Sequence, residues 1–357
     1  MKITNILIGC FFIAVLPAHA QNEVEELLLK DYKPVSIYKI PVTKVEKARY
    51  PVIDVHSHPY PDSRRELDQW VEHMDAKGIE KSIVLTYAHG EEFDSLVQVF
   101  ASYPDRFDLW CGFDYTGYDQ PGYGPAAVAE LERCHRIGAK GVGELGDKGK
   151  GLFYSEPKAF GMHPDDERMD PLFKKCAELN MPVNIHVAEP MWMYETMDAS
   201  NDGLWNAYKW RLDNQPGIVD HAGMIEILAN TVEKHPETTF IACHYANCGY
   251  DLNKAGALLD QYPNLYFDIG ARYAEVSAIP RHTGKFFEKY QDRLLYGTDM
   301  GTSQSMYEFT FRILETADEH IYDDRNNYHW PLHGLDLSDQ VLEKVYNGNA
   351  RRILQLD

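Results

Sequence analysis

The feature that most constrains this chain is a rhythm. From residue 51 onward, short β-branched and apolar runs alternate with amphipathic segments of helical period, and the alternation repeats eight times. Strands are predicted over 51–58, 81–87, 107–115, 140–145, 182–187, 238–245, 264–269 and 294–298. Between them lie helical patterns over 65–77, 91–103, 125–137, 166–179, 223–235, 252–261 and 280–290, and two further helices, 306–319 and 338–354, close the chain. Gly78 and Gly138 stand where helices of this kind stop. Strands that are apolar on both faces belong to a parallel sheet covered by helices. An open doubly wound sheet satisfies that pattern, but eight units favour closure into an α/β (β/α)8 TIM-like barrel.

The N-terminus reads differently. Lys2 precedes an apolar stretch over 6–15, and Ala18-His19-Ala20 matches a signal-peptidase site, so residues 1–20 are expected to be a signal peptide cleaved after Ala20. Leu7-Ile8-Gly9-Cys10 resembles a lipobox, but the apolar run continues past Cys10, so a lipoprotein anchor is the lesser reading. The run is too short for a spanning helix, and the mature protein is expected to be periplasmic or secreted, without stable membrane insertion. Residues 21–50 carry no periodic signal and are expected to form an arm, leaving 51–357 as the barrel with its C-terminal helices. A net charge of −20 repels phosphate backbones, which argues against nucleic acid and leaves a small-molecule substrate as the expected partner; a homo-oligomer is compatible with the composition. Cys111, Cys134, Cys176, Cys243 and Cys248 are too sparse for a disulfide framework and are expected to be buried free thiols.

Barrel enzymes carry their chemistry at the C-terminal ends of the strands. At those ends stand His56 and His58, Glu144, His186, His244 and Asp299. In His56-Ser57-His58, residues two apart share a face, so both imidazoles can reach one ion. The stretches IDVHSH, VNIHV, IACHY and LLYGTDM resemble the amidohydrolase superfamily, most closely the amidohydrolase-related family that includes decarboxylases, lactonases and hydratases, and the likeness spans residues 51–355. That resemblance implies metal ligation by His56, His58, His186 and Asp299, with His244 either a second-metal ligand or an acid/base. Glu144 departs from the carboxylated lysine of many members and is similar to the G-E-x-G of TatD-like hydrolases; it either bridges two ions or forms a structural salt bridge with Lys140.

The expected cofactor is one or two divalent ions, zinc by its N/O ligands, with manganese as the other possibility. The expected activity is hydrolysis of a lactone, ester or amide by a metal-activated water, with Asp299 taking the water proton and His244 stabilising the oxyanion. The alternative is non-oxidative decarboxylation of an unsaturated or aromatic acid. Candidate substrate contacts are Tyr87, His89, Trp192 and Arg272, the last able to clamp a carboxylate. The loops over 146–165 and 189–222 are expected to form lids or specificity walls.

Overall fold

A computed structural model describes residues 24–356 apart from 324 and 326, so the proposed signal peptide, with its Ala20 cleavage point and Cys10, lies outside the described residues. Eight parallel strands form the barrel: β1 (Val52–Ser57), β2 (Ile79–Leu85), β3 (Phe107–Trp110), β4 (Val142–Asp147), β5 (Val183–Val187), β6 (Phe240–Ala242), β7 (Leu265–Asp268) and β8 (Leu294–Leu295). The ladder β1-β2-β3 and the ladder β8-β7-β6-β5-β4 are each continuous. Two seams close the ring. Cys111 N–H donates to Gly141 O at 3.0 Å and Gly143 N–H to Cys111 O at 2.9 Å; Val55 N–H donates to Tyr296 O and Asp299 N–H to His56 O, both at 2.9 Å.

The helices that follow the strands are α1 (Arg64–Lys77), α2 (Gly90–Phe100), α3 (Pro125–Arg136), α4 (Asp170–Glu178), α5 (His221–Lys234), α6 (Leu252–Gln261), α7 (Pro280–Tyr290) and α8 (Gln304–Glu315). Their starts are fixed locally: the side chains of Ser63, Asp220 and Ser303 accept from backbone N–H groups of the first turn. Gly78, at φ 82°, ends α1 in the left-handed conformation that glycine adopts without a Cβ penalty. Two apolar layers result. Ile53, Val55, Ile83, Leu85, Trp110, Ile241 and Leu295 form one cluster with Ala350 from the last helix. Val52, Val84, Val142 and Val183 meet helix residues such as Trp70, Met74, Phe173 and Leu228 in the other. Each fully buried side chain of this size contributes roughly 1.5–3 kcal/mol relative to exposure. Gly141 admits the Trp110 ring, since a Cβ there would stand 2.4 Å from it.

Six strands end sooner than predicted, and at two of them, β6 and β8, the reason concerns the site. After β6 the chain turns through four successive left-handed residues, His244, Tyr245, Ala246 and Asn247, at φ 60°, 56°, 54° and 52°. Asp299, beyond β8, is left-handed as well, at φ 50°. Strand geometry therefore stops just where a functional side chain must be re-aimed. The two long loops also carry structure of their own: Gly151–Leu152 pairs antiparallel with Ala159–Phe160, and Leu204–Trp210 is a short helix. The arm ahead of β1 is tied to the body at Thr43, whose N–H and Oγ1–H donate to Asp318 at 2.8 and 2.7 Å. Among the described residues, no helix is long and apolar enough to cross a membrane.

Candidate metal centre

Three ring nitrogens converge at the barrel mouth because each imidazole is anchored by its other nitrogen. His56 Nδ1 pairs with Asp268 Oδ2 at 2.9 Å, His58 Nδ1 with Leu85 O at 3.0 Å, and His244 Nδ1 with Gly270 O at 2.8 Å. Donation from Nδ1 leaves each Nε2 bare, the form in which histidine ligates metals. His58 Nε2 lies 3.0 Å and His56 Nε2 3.8 Å from Asp299 Oδ1, while His244 Nε2 lies 3.5 Å from Asp299 Oδ2. Glu144 Oε2 approaches His56 Nε2 at 3.8 Å and His58 Nε2 at 3.6 Å.

The sequence builds this convergence with a strand irregularity. The β1–β2 register slips between Asp54 and Ser57, and the Asp54 carboxylate holds the slipped segment. It accepts from His56 N–H and Ser57 Oγ–H at 3.1 Å each, and from Thr298 N–H at 3.0 Å and Oγ1–H at 2.6 Å. Burial pushes Asp54 up to about 6, against the pull of those donors.

The donor set fits a divalent cation. His56 Nε2 is fully buried and has no hydrogen-bond partner, which is costly unless something else binds there. One atom each from His56, His58 and Asp299 falls within 4.8 Å of the others, and the same holds for His56, Glu144, Cys243 and His244. The two groups share His56. The electrostatics ask for positive charge: burial lowers the affinity of His56 for a proton, yet Asp268 and Asp299 outweigh burial and hold the ring well above the usual imidazole range. For Glu144, burial is outweighed by His186 and His56, and the carboxyl falls well below the ordinary range. Burial keeps the Cys243 thiol protonated, and its Sγ–H donates to Asn184 Oδ1 at 2.9 Å.

His186 sits in the same cluster but faces differently. Nδ1 meets Glu144 Oε1 and Nε2 meets Ala188 O at 3.1 Å, so both nitrogens have partners and the ring reaches the centre through Glu144. The partners of Glu144 are these histidines and not Lys140.

Above the centre opens a cavity of about 310 Å³, bordered by Tyr87, Tyr154, Trp210, Lys148, Glu189 and Arg272 besides the rim residues. Tyr87 stacks on His58 with centroids 5.0 Å apart, and its hydroxyl lies 2.6 Å from His58 Nδ1 and 3.1 Å from His58 Nε2. Burial pushes the Tyr87 and Tyr154 hydroxyls far up, so both remain neutral donors. Arg272 is held by Asn247 Oδ1 at 2.8 Å and by Glu189 and Glu275 at 3.4 Å each. Glu189 also pairs with Lys148; burial raises its carboxyl, but Lys148, His186 and Arg272 together hold it below the usual range.

Two predicted contacts are placed elsewhere. His89 precedes α2 and its Nε2 meets Glu156 O at 2.7 Å, away from the cavity wall. Trp192 borders a separate cavity, where it meets Tyr328 and Trp330 edge-on. Sequence reasoning missed Asp268, Lys148, Tyr154 and Glu189. Asp268 was findable, because it ends β7 as the other site acids end their strands.

Barrel, rim and donor set define the class: a barrel enzyme with a metal-ligating C-terminal mouth. The chain belongs to the amidohydrolase family, whose model matches residues 53–356. Among solved structures it is similar to 2,6-dihydroxybenzoate decarboxylase from Rhizobium, at 17% identity and TM-score 0.56, covering 86% of this chain and 99% of that one. It is similar to dihydroxybenzoic acid decarboxylase from Polaromonas, solved with manganese and 2-nitroresorcinol, at 17% identity and TM-score 0.55, covering 86% and 97%. A third is 5-carboxyvanillate decarboxylase from Novosphingobium aromaticivorans, solved with manganese and a nitrobenzoic acid, at 17% identity and TM-score 0.53, covering 88% and 100%. These likenesses establish the barrel fold. No curated protein matches the chain.

Proposed function

We propose that the protein is a metal-dependent decarboxylase that removes carbon dioxide from a small aromatic or unsaturated carboxylic acid. The observation that carries this reading is the convergence of His56, His58 and Asp299, with Glu144 and His244 beside them, beneath a cavity with aromatic walls. A divalent ion held there by His56, His58 and Asp299, manganese or zinc, would supply Lewis-acid chemistry. Tyr87, Tyr154 and Trp210 offer flat surfaces to a planar acid, and Lys148 and Arg272 favour an anion beside them. In the reaction the bond to the carboxyl carbon breaks, carbon dioxide leaves, and the electron pair stays on the substrate carbon, which takes a proton. That proton reaches the carbon from solvent through Asp299, whose Oδ2 lies 3.5 Å from His244 Nε2. The names of the three similar decarboxylases support the same branch of chemistry, which the sequence alone ranked second to hydrolysis. Export after cleavage at Ala20 is part of the proposal.

Hydrolysis of a lactone, ester or amide keeps one specific observation in its favour: Glu144 is a second buried carboxylate beside the histidines, as a two-ion centre would need. Offering the metal-loaded protein hydroxybenzoates and other unsaturated acids in one panel, and lactones, esters and amides in another, separates the two. The proposal expects carbon dioxide release from the first panel and no acid release from the second. Acid release from the second panel, with no carbon dioxide from the first, overturns it.

A further inference from the structure

A second cavity, of about 300 Å³, lies beside the mouth and shares no residue with the first. Three aromatic side chains line it, Trp192, Tyr250 and Trp330, together with three carboxylates, Glu195, Asp202 and Glu275, and no lysine, arginine or histidine does so among the described residues. The aromatic wall is braced. Trp330 stacks on Tyr328 at 4.3 Å and 18°, its Nε1–H donates to Ala274 O at 3.1 Å, and Trp192 meets it edge-on at 6.0 Å. Its orientation is therefore fixed before any ligand arrives.

Glu275 is the informative residue. Its side chain is 6% exposed, yet only one oxygen is satisfied: Oε1 accepts from Tyr328 OH at 2.8 Å and faces Arg272 Nε at 3.4 Å. Oε2 has no hydrogen bond or ion pair among the described residues and stands 3.6 Å from where a Cβ on Gly249, itself in the cavity wall, would lie. That oxygen is left free to meet a cation that enters the cavity. Burial raises its carboxyl above the usual range, against the pull of Arg272 and Tyr328.

We propose that this cavity binds an organic ammonium ion, seated against the faces of Trp330 and Tyr250 with its charge towards Glu275. Aromatic faces attract cations through their quadrupole, and a quaternary ammonium loses little hydration on leaving water, so it suits a wall of rings over one carboxylate. Glu195 and Asp202 add negative potential at the rim. A compact inorganic cation would need more oxygen ligands than Glu275 presents. A neutral ligand of the same shape would leave Oε2 unsatisfied.

The test is an NMR titration of the full-length protein with choline and, separately, with its uncharged isostere 3,3-dimethylbutan-1-ol. Choline is expected to bind saturably and the isostere roughly tenfold more weakly, the loss of one cation–π and charge contact. Glu275→Gln and Trp330→Leu should each weaken choline by a similar factor, with thermal midpoints recorded alongside. Tyr250→Ala, at an exposed rim position, guards against a folding defect and should also weaken it. Absence of saturable choline binding, equal binding of the isostere, or wild-type affinity in the well-folded variants overturns the assignment.

Discussion

Nδ1 of His56 is committed to Asp268, so only Nε2 can reach the mouth, and it does so without a hydrogen-bond partner. An outer carboxylate of this kind orients the ring and raises its basicity. Asp268→Asn should therefore weaken metal binding by about 10–100-fold while the fold persists, as measured by competition with a chelating dye. Unchanged affinity would mean that Asp268 only fills space. Asp299→Asn should abolish turnover without changing the circular dichroism spectrum, because the carboxylate faces both His58 and His244; retained activity would remove Asp299 from the chemistry. At this scale the sequence was legible wherever a side chain followed a strand in a recognisable motif. His56, His58, Glu144, His244 and Asp299 converge on one rim, while His186, implied as a ligand, turns its ring nitrogens to Glu144 and Ala188 O. What it hid was direction. The left-handed run at His244–Asn247 and the slip at Asp54 re-aim side chains through backbone geometry that no residue pattern announces.

Helices α2 and α3 are joined by a local network that makes a pH prediction. Glu130 on α3 accepts from Gly90 N–H at the start of α2 at 2.7 Å and from Arg133 Nε–H and Nη2–H at 2.8 Å each. The Arg133 guanidinium, chiefly, holds the carboxyl at about 2, below its ordinary 4.5. A carboxyl depressed on folding stabilises the native state fully above its unfolded value and loses that contribution as pH falls through the folded value. Glu130→Gln should thus cost about 1–2 kcal/mol near neutral pH, a discount for partial exposure included. The gap between variant and wild type should close as the pH falls from 4.5 towards 2, read by thermal melts. A pH-independent gap would assign the effect to shape. Elements of regular period were the easiest to read: the predicted helices over 252–261 and 280–290 match α6 and α7. The loops were not, since the Gly151–Leu152 and Ala159–Phe160 hairpin and the Leu204–Trp210 helix depend on packing over the mouth rather than on any long periodic pattern.

For the whole molecule, eight strand–helix units bring histidines and carboxylates separated by more than two hundred residues onto one rim. The count of units made the barrel legible, while the second cavity was not, because its walls come from four separate loops. The central claim is that this rim holds one divalent ion. Elemental analysis of the purified full-length protein, after dialysis against buffer that contains manganese or zinc and then against metal-free buffer, tests it most directly. One ion per chain is the predicted result, and either two ions or none would contradict it.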